Sequence, residues 1–374
     1  MSWTIAFILI LFAIYAFSIF LITIEWLKTR ILNTNPELDG ISFSIIIPFR
    51  NEEKNIEQCI KSIVDQQYDP GKFEIICVDD QSSDRSAEII STFAAKYKMI
   101  RLIDSNGNGK KAALQTGIEV SRFNHIITTD ADTDRGKHWL SAYSTMFRYR
   151  GIKVVIGTLL MVGKGNSLLG AMQSLDYMGM MVFSMVASRK KWFYNGSGGN
   201  LAFTKDVYFD YLESAHDRDI VSGDDVFLIE FVSSKFDKSV LFPRNQEIIA
   251  YTQPEPDFVS FLNQRKRWAN KSFSYRNNNI LAFWAFLWIV NVSFIIALIL
   301  AIINGGLFIK VFAAALFGKL IVDYFMLMPM GKFFRRPINK FILADFYHIL
   351  YVVLIGFLAF FNKSFVWKER KFSR

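Results

Sequence analysis

The segment His125-Ile126-Ile127-Thr128-Thr129-Asp130-Ala131-Asp132 decides how the chain is read. After the histidine it is a β-branched run with no turn residue, as a buried strand requires. It stops on two carboxylates one residue apart. Upstream, Phe73 to Val78 has the same form and stops on Asp79-Asp80. Further up, Phe43 to Ile47 ends at Pro48, with Asn51-Glu52 just beyond. Asn51 to Gln67 sets Ile56, Ile60 and Ile63 or Val64 on one helical face, and Asp84 to Tyr97 reads as a second helix. Strand, helix, strand, helix predicts an α/β fold, Rossmann-like, with a mostly parallel sheet and helices on both faces. Ligands bind such sheets at the carboxyl ends of the strands. Three polar clusters at equivalent strand ends therefore mark the candidate site.

Outside this region the composition changes. The chain has 374 residues, 52% of them hydrophobic, and a formal net charge of +9. The apolar excess lies at the two ends. Thr4 to Ile24, Ile280 to Ile303, Leu307 to Met330 and Phe341 to Phe361 are each long enough to cross a bilayer. The first run lacks the basic flank and small-residue cleavage site of a signal peptide. We expect an N-terminal anchor over 1–27, a catalytic domain over 40–279 that includes an amphipathic interface helix at 258–277, membrane segments over 280–362 and a basic tail at 363–374. Ser167 to Ser188 is apolar apart from Gln173 and Asp176; motif residues on both sides make it a core or membrane-surface helix rather than a span. Lys28 and Arg30 follow the first span and no charge precedes it, so the positive-inside rule puts the catalytic domain in the cytoplasm, on the inner or plasma membrane. A full crossing by the last segment would then leave the basic tail outside, so that segment is expected to be re-entrant or interfacial. The positive charge follows this topology, and no basic-aromatic face marks a nucleic-acid binder. Cys59 and Cys77 have no metal-ligand spacing and read as reduced thiols.

Several residues could do chemistry. Asp130 and Asp132, at a strand end, can hold Mg²⁺ or Mn²⁺, which take oxygen ligands and share them with phosphates. Alone, such a pair is equally an ordinary solvated turn. Asp79 and Asp80 can accept hydrogen bonds from a base or ribose, and Lys110 can approach a phosphate. In Ser222-Gly223-Asp224-Asp225 one acid would serve as a helix cap; the second, Asp225 or Asp224, is a candidate general base. Gln264, Arg267 and Trp268 share one helical face, with Arg267 suited to phosphate and Trp268 to a sugar ring.

In this order the motifs resemble the family-2 glycosyltransferases, inverting enzymes with the GT-A nucleotide-sugar fold. Ser44 to Glu52 resembles the family's first strand and nucleotide-binding turn, which assigns Pro48, Asn51 and Glu52 to the donor. Asp79 to Asp84 is similar to the acidic uridine-contacting motif, Gly109 to Gly117 to the stretch whose lysine lies near the nucleotide, and Asp130-Ala131-Asp132 to the metal motif. Asn195 to Asn200 resembles the acceptor-side loop, assigning Asn195, Gly199 and Asn200 to acceptor or diphosphate. Gly223-Asp224-Asp225 is similar to the motif whose final acid is the base. Gln264 to Trp268 is similar to the Q-x-x-R-W motif of the membrane-bound subgroup, which includes hyaluronan, chitin, cellulose and poly-N-acetylglucosamine synthases and ceramide-type glucosyltransferases. The resemblance implies transfer from a nucleotide-diphosphate sugar, expected to be a UDP-sugar, with Mg²⁺ or Mn²⁺. The acceptor is a membrane lipid or lipid-linked molecule; the alternative is a processive polysaccharide synthase with a growing glycan. Three C-terminal segments are few for a polymer channel without a homo-oligomer or an accessory membrane protein. A non-catalytic scaffold would be expected to have lost at least one of these acids or Arg267.

Overall fold

The β-branched runs become adjacent strands because each carries apolar side chains on both faces, which must both be covered. The computed structural model describes residues 2–35, 40–163, 167–214, 224–272, 277–361, 364–367 and 370–373. After helix α1 (Ser2–Lys28), β1 (Phe43–Phe49) runs parallel to β2 (Phe73–Asp79) on one side and β4 (His125–Thr129) on the other; β3 (Ile100–Asp104) extends β2. All seven residues of β1 are buried. Helices α2 (Ile56–Val64), α3 (Ser86–Lys96) and α4 (Lys110–Glu119) make the crossovers. Helix α2 buries Ile56, Ile60 and Ile63 as its spacing predicts.

Beyond β4 the chain is less regular. The two-residue β5 (Asp134–Arg135) precedes α5 (Trp139–Phe147), β6 (Val154–Ile156) and β7 (Leu159–Met161). Helix α6 (Leu168–Arg189) is followed by β8 (Asn200–Thr204), α7 (Lys205–Ser214), α8 (Asp224–Lys235), β9 (Val240–Leu241) and β10 (Ala250–Thr252). The large sheet has the order β3-β2-β1-β4-β8-β6-β9, and β8 runs antiparallel to both neighbours. The sheet is thus mostly parallel with one reversed strand. Strands β5, β10 and β7 form a small second sheet.

Helix α9 (Phe258–Ser272) leads to α10 (Asn278–Asn304), α11 (Gly306–Phe334) and α12 (Phe341–Phe361), then a hairpin of β11 (Ser364–Trp367) and β12 (Arg370–Ser373). Among the described residues four helices, α1 and α10 to α12, are long and apolar enough to cross a membrane. Helix α6 is not among them; most of its side chains are buried against the sheet and the other helices, as its flanking motifs predict. Charges inside the helical bundle find partners. Lys319 donates to Asp323 (2.7 Å), its expected i, i+4 partner, and also to Asp345 on α12 (2.5 Å), while the Tyr15 hydroxyl of α1 donates to Asp323 (2.6 Å). Three helices are tied at one polar point. Where α1 and α11 meet the catalytic domain, the buried Trp26 ring lies under the Arg244 guanidinium (3.8 Å) and edge-on to Phe333 (5.7 Å).

Candidate functional site

The chain leaves β1 through Asn51, whose φ of 52° lies in the left-handed region that side chains seldom adopt. Bonds to the turn after β2 hold it there. The Asn51 side-chain oxygen accepts from Ser83 N (2.8 Å), and Asn51 N donates to Ser82 Oγ (3.2 Å). Glu52 N donates to Ser86 Oγ (2.7 Å), and Asp79 Oδ1 accepts from Ser82 N (2.8 Å). The two polar clusters that end β1 and β2 are therefore one built surface. Pro48 is buried as the last residue but one of β1. Asp80, also buried, accepts through Oδ1 from Gly109 N (2.8 Å). Gly109 has φ +90°, which lets the chain turn sharply into α4. The first residue of that helix, Lys110, then reaches β4's end and donates to Asp130 Oδ1.

Asp132 is partly buried, and its Oδ2 accepts from Thr252 Oγ1 on β10 (3.0 Å). Burial, helped by Asp130 and Glu52, pushes its carboxyl up to about 6. A buried acid among like charges is relieved by a cation. The donors are all carboxylate oxygen, which suits Mg²⁺ or Mn²⁺. No group of three or more His, Cys, Asp and Glu side chains converges among the described residues. A cation here would complete its shell with phosphate oxygens and water, the usual habit of Mg²⁺.

The loop before β8 closes over these acids. A Cβ on Gly199 would stand 2.7 Å from Asp130 Oδ2, so only glycine fits. A Cβ on Gly198 would be 3.6 Å from Asp225 Oδ2 and 3.8 Å from Lys110 Nζ, which brings Asp130, Lys110 and Asp225 to one small volume. Gly198 N donates to Asp225 Oδ2 (2.9 Å) and Val226 N to Asp225 Oδ1 (2.9 Å). Asp225, the second residue of α8, thus has both carboxylate oxygens held by backbone N–H groups beside the site. Ser222 and Gly223 lie outside the described residues, as does the Asp224 side chain, although Asp224 opens α8.

Helix α9 brings Arg267. Burial lowers its pKa, while Asp130, Glu255, Asp225 and Asp132 act in the opposite sense, so the guanidinium sits in the field of all four carboxylates. Gln264 Nε2 donates to Glu255 Oε1 (2.8 Å), and its Oε1 is buried without a hydrogen-bond partner among the described residues. Trp268 packs on Tyr177 (5.6 Å between rings) and under the Arg265 guanidinium (4.3 Å).

Asn200 does not serve as the sequence leads one to expect. It is fully buried; its amide donates to the Thr158 and Ile248 carbonyls and accepts from Trp139 Nε1 and Tyr143 OH, at 2.7 to 2.9 Å. Every polar valence is used, so Asn200 is a framework residue and not an acceptor or diphosphate ligand. Asn195 reaches Ser184 of α6 at 3.3 Å.

Sequence reasoning missed what holds α9. Gln173, Asp176 and Tyr177 form one stripe on α6 at i, i+3 and i+4. Gln173 exchanges two hydrogen bonds with Glu255 (3.0 and 2.9 Å). Asp176 pairs with Arg265 of α9 (2.9 Å) and His348 of α12 (3.3 Å). Tyr177 stacks on Trp268 and hydrogen-bonds Ser197 in the glycine loop. The signal was present: a polar stripe at helical spacing on an otherwise apolar helix.

Known proteins resemble this chain in part of its sequence and in its fold. Residues 44–209 match the family model described as Glycosyl transferase family 2. The glycosyltransferase AglE of Haloferax volcanii is 33% identical over 124 residues, which are 33% of this chain and 38% of that protein. An undecaprenyl-phosphate 4-deoxy-4-formamido-L-arabinose transferase of Pseudomonas aeruginosa is 36% identical over 92 residues, 24% of this chain and 27% of that protein. The matched stretches span well under half the length of either relative. The solved structure of the mannosyltransferase PcManGT from Pyrobaculum calidifontis, in complex with GDP-Man and Mn²⁺, superposes with a TM-score of 0.59 at 14% identity, over 96% of this chain and 97% of that one. The chain has the GT-A fold, flanked by candidate membrane helices.

Proposed function

We propose that this chain is a family-2, inverting glycosyltransferase, held on the cytoplasmic face of a membrane by α1 and the C-terminal helices, which moves a sugar from a nucleotide-diphosphate donor to a lipid or lipid-linked acceptor. The observation that carries this reading is the meeting of Lys110 and Arg267 with Asp130, Asp132 and Asp225 at the carboxyl ends of the strands. Two cations beside a carboxylate pair suit a diphosphate, and a further carboxylate across the glycine loop suits an attacking hydroxyl.

The nucleotide is taken up by the Asn51-Glu52 and Asp79-Asp80 surface. Lys110 and Arg267 bind the diphosphate and steady its charge as the bond to the sugar breaks. Asp225 accepts the proton of the acceptor oxygen as that oxygen bonds to the anomeric carbon on the face opposite the leaving group; the diphosphate departs with the bonding pair. Asp130 and Asp132 would hold Mg²⁺ or Mn²⁺, which supplies further neutralisation of the diphosphate. The lipid acceptor is supported by the four long apolar helices and by the undecaprenyl phosphate in the pseudomonal relative's name.

The test is release of nucleoside diphosphate by full-length protein supplied with a panel of nucleotide sugars and membrane lipid. We expect one donor to be consumed, and Asp225→Asn to lose roughly 10²–10⁴-fold in rate while still binding nucleotide. Unimpaired release by that variant removes Asp225 from the role of base. Products in a ladder of polymer lengths would favour the polysaccharide-synthase alternative.

A further inference from the structure

A cavity of about 240 Å³ lies where α6, β7 and the turn between α11 and α12 meet. It is not the acidic site. On β10, Thr252 donates to Asp132, whereas the ring of its neighbour Tyr251 lies against the Arg336 guanidinium (4.6 Å), on the cavity side. Successive strand residues face opposite ways, so the small sheet separates cavity from acids.

We propose that this cavity binds the head of a phosphate-bearing lipid. Its wall is of two kinds. Leu160, Leu175 and Met178 make an apolar side, and Ser167, Arg336 and Asn339 a polar one. Arg336 has no carboxylate partner among the described residues, and its Nε is buried without a hydrogen-bond acceptor. Stacking on Tyr251 holds the guanidinium plane, and a planar fork matches phosphate. Lys332 and Arg335 stand exposed on the same turn, and no acid occurs between Gly331 and Ala344. A turn with Lys332, Arg335 and Arg336 and no acid of its own, beside apolar surface, fits an anionic amphiphile better than a neutral one or a free ion.

The position fits as well. Phe333 and Phe334 at the end of α11 pack on Trp26 at the end of α1, and Gln246 of the catalytic domain donates to Phe333 O (2.5 Å). The turn is therefore pinned where two candidate spans reach the catalytic domain, the level of lipid headgroups. Basic pockets at that level are where anionic headgroups bind. The volume holds about eight water-sized groups, enough for a phosphate and the first chain carbons, with the rest of the lipid running out along the helices.

The inference rests on the membrane reading alone, so it is tested without donor sugar. Full-length protein in detergent is titrated, by native mass spectrometry, with phosphatidylglycerol, undecaprenyl phosphate, dioleoylglycerol and inorganic phosphate. We expect the two phosphate lipids to bind and the neutral lipid and free phosphate to bind at least about tenfold more weakly. Arg336→Ala and the cavity-filling Ala171→Phe should each weaken phosphate-lipid binding by about tenfold, with nucleotide affinity unchanged as the check on folding. Binding of both phosphate lipids marks a general headgroup site, and of undecaprenyl phosphate alone a site for a polyprenyl phosphate; both support the proposal. Equal binding of dioleoylglycerol, or of inorganic phosphate, overturns it, as does undiminished binding by both folded variants. Loss of sugar transfer with lipid binding intact would count against the enzymatic reading and leave this one standing.

Discussion

Asp132 and Asp176 are both partly buried carboxylates, and their surroundings pull them in opposite directions. Asp132 faces burial and two further acids, which raise it to about 6. Its unmet charge is what a divalent cation would satisfy. Asp132→Ala should therefore abolish Mn²⁺ binding measured by calorimetry on the nucleotide-loaded protein, with the fold kept. Undiminished Mn²⁺ affinity in that variant would mean that this acid is no ligand. Burial would raise Asp176 too, but the Arg265 guanidinium, His348 and Tyr351 overcome it and hold the carboxyl at about 2. A carboxyl depressed from the usual 3.8 stabilises the fold above that value, and the contribution is lost as pH falls towards 2. The shift corresponds to about 2 kcal/mol. We expect Asp176→Asn to lower the melting temperature near neutral pH and to flatten the loss of stability between about pH 4 and pH 2. Identical acid limbs for variant and wild type would show that Asp176 is not the group that titrates. Much of this could be read in advance. Asp130, Lys110 and Asp225 each end a strand or open a helix, positions that local pattern marks. The burial of Asn200 could not be read, because its four partners come from distant parts of the chain and an Asn in a glycine loop looks the same whether it faces a ligand or Trp139.

The three-stranded parallel unit at the start was legible because β1, β2 and β4 are each built on a run of β-branched or apolar residues that stops at a polar cluster. The second half was not. Strands β6, β7, β9 and β10 have two or three residues each, too few for any periodicity. The candidate membrane helices show the same contrast: their length was plain, but not their partners. Lys319 and Asp323 stand at i, i+4 within one helix, a spacing that accounts for one ion pair, whereas the lysine also holds Asp345 across to α12. One cation between two buried carboxylates makes Lys319 the residue on which α11 and α12 depend. Lys319→Met leaves both acids uncompensated, and breaking a buried pair in this way costs about 3–5 kcal/mol. The variant should melt well below the wild type in detergent. Adding Asp323→Asn and Asp345→Asn to it should recover most of the loss, since the charges then leave together. Failure of the triple variant to recover would show that Lys319 acts by packing and not by charge.

At the scale of the molecule the question is which side of the membrane the tail occupies. In the orientation proposed above, Lys28 and Arg30 keep the catalytic domain in the cytoplasm by the positive-inside rule. With α10 leading out and α11 returning, a transverse α12 would carry Lys363, Lys368, Arg370, Lys371 and Arg374 to the far side. The contacts of α12 favour a different course. Its first turns lie beside the middle of α11, with Phe341 against Tyr324 (5.7 Å). Asp345 meets Lys319, and His348 then reaches Asp176 on α6. Tyr351 meets Phe261 of α9 (5.2 Å), and Phe357 meets Trp288, ten residues into α10 (5.3 Å). Strand β11 then comes back against α9. A helix that passes from the middle of one span to the middle of another, along two helices of the catalytic domain, runs along the membrane face more than through it. It also keeps Asp345 and His348 on protein, where ionisable groups are tolerated. We predict that the tail lies on the same side as the catalytic domain. A cysteine placed by Ser373→Cys tests this in intact cells, and the background is low because Cys59 and Cys77 are buried. The new thiol should resist a membrane-impermeant maleimide until the cells are lysed. Labelling before lysis would establish a complete fourth crossing.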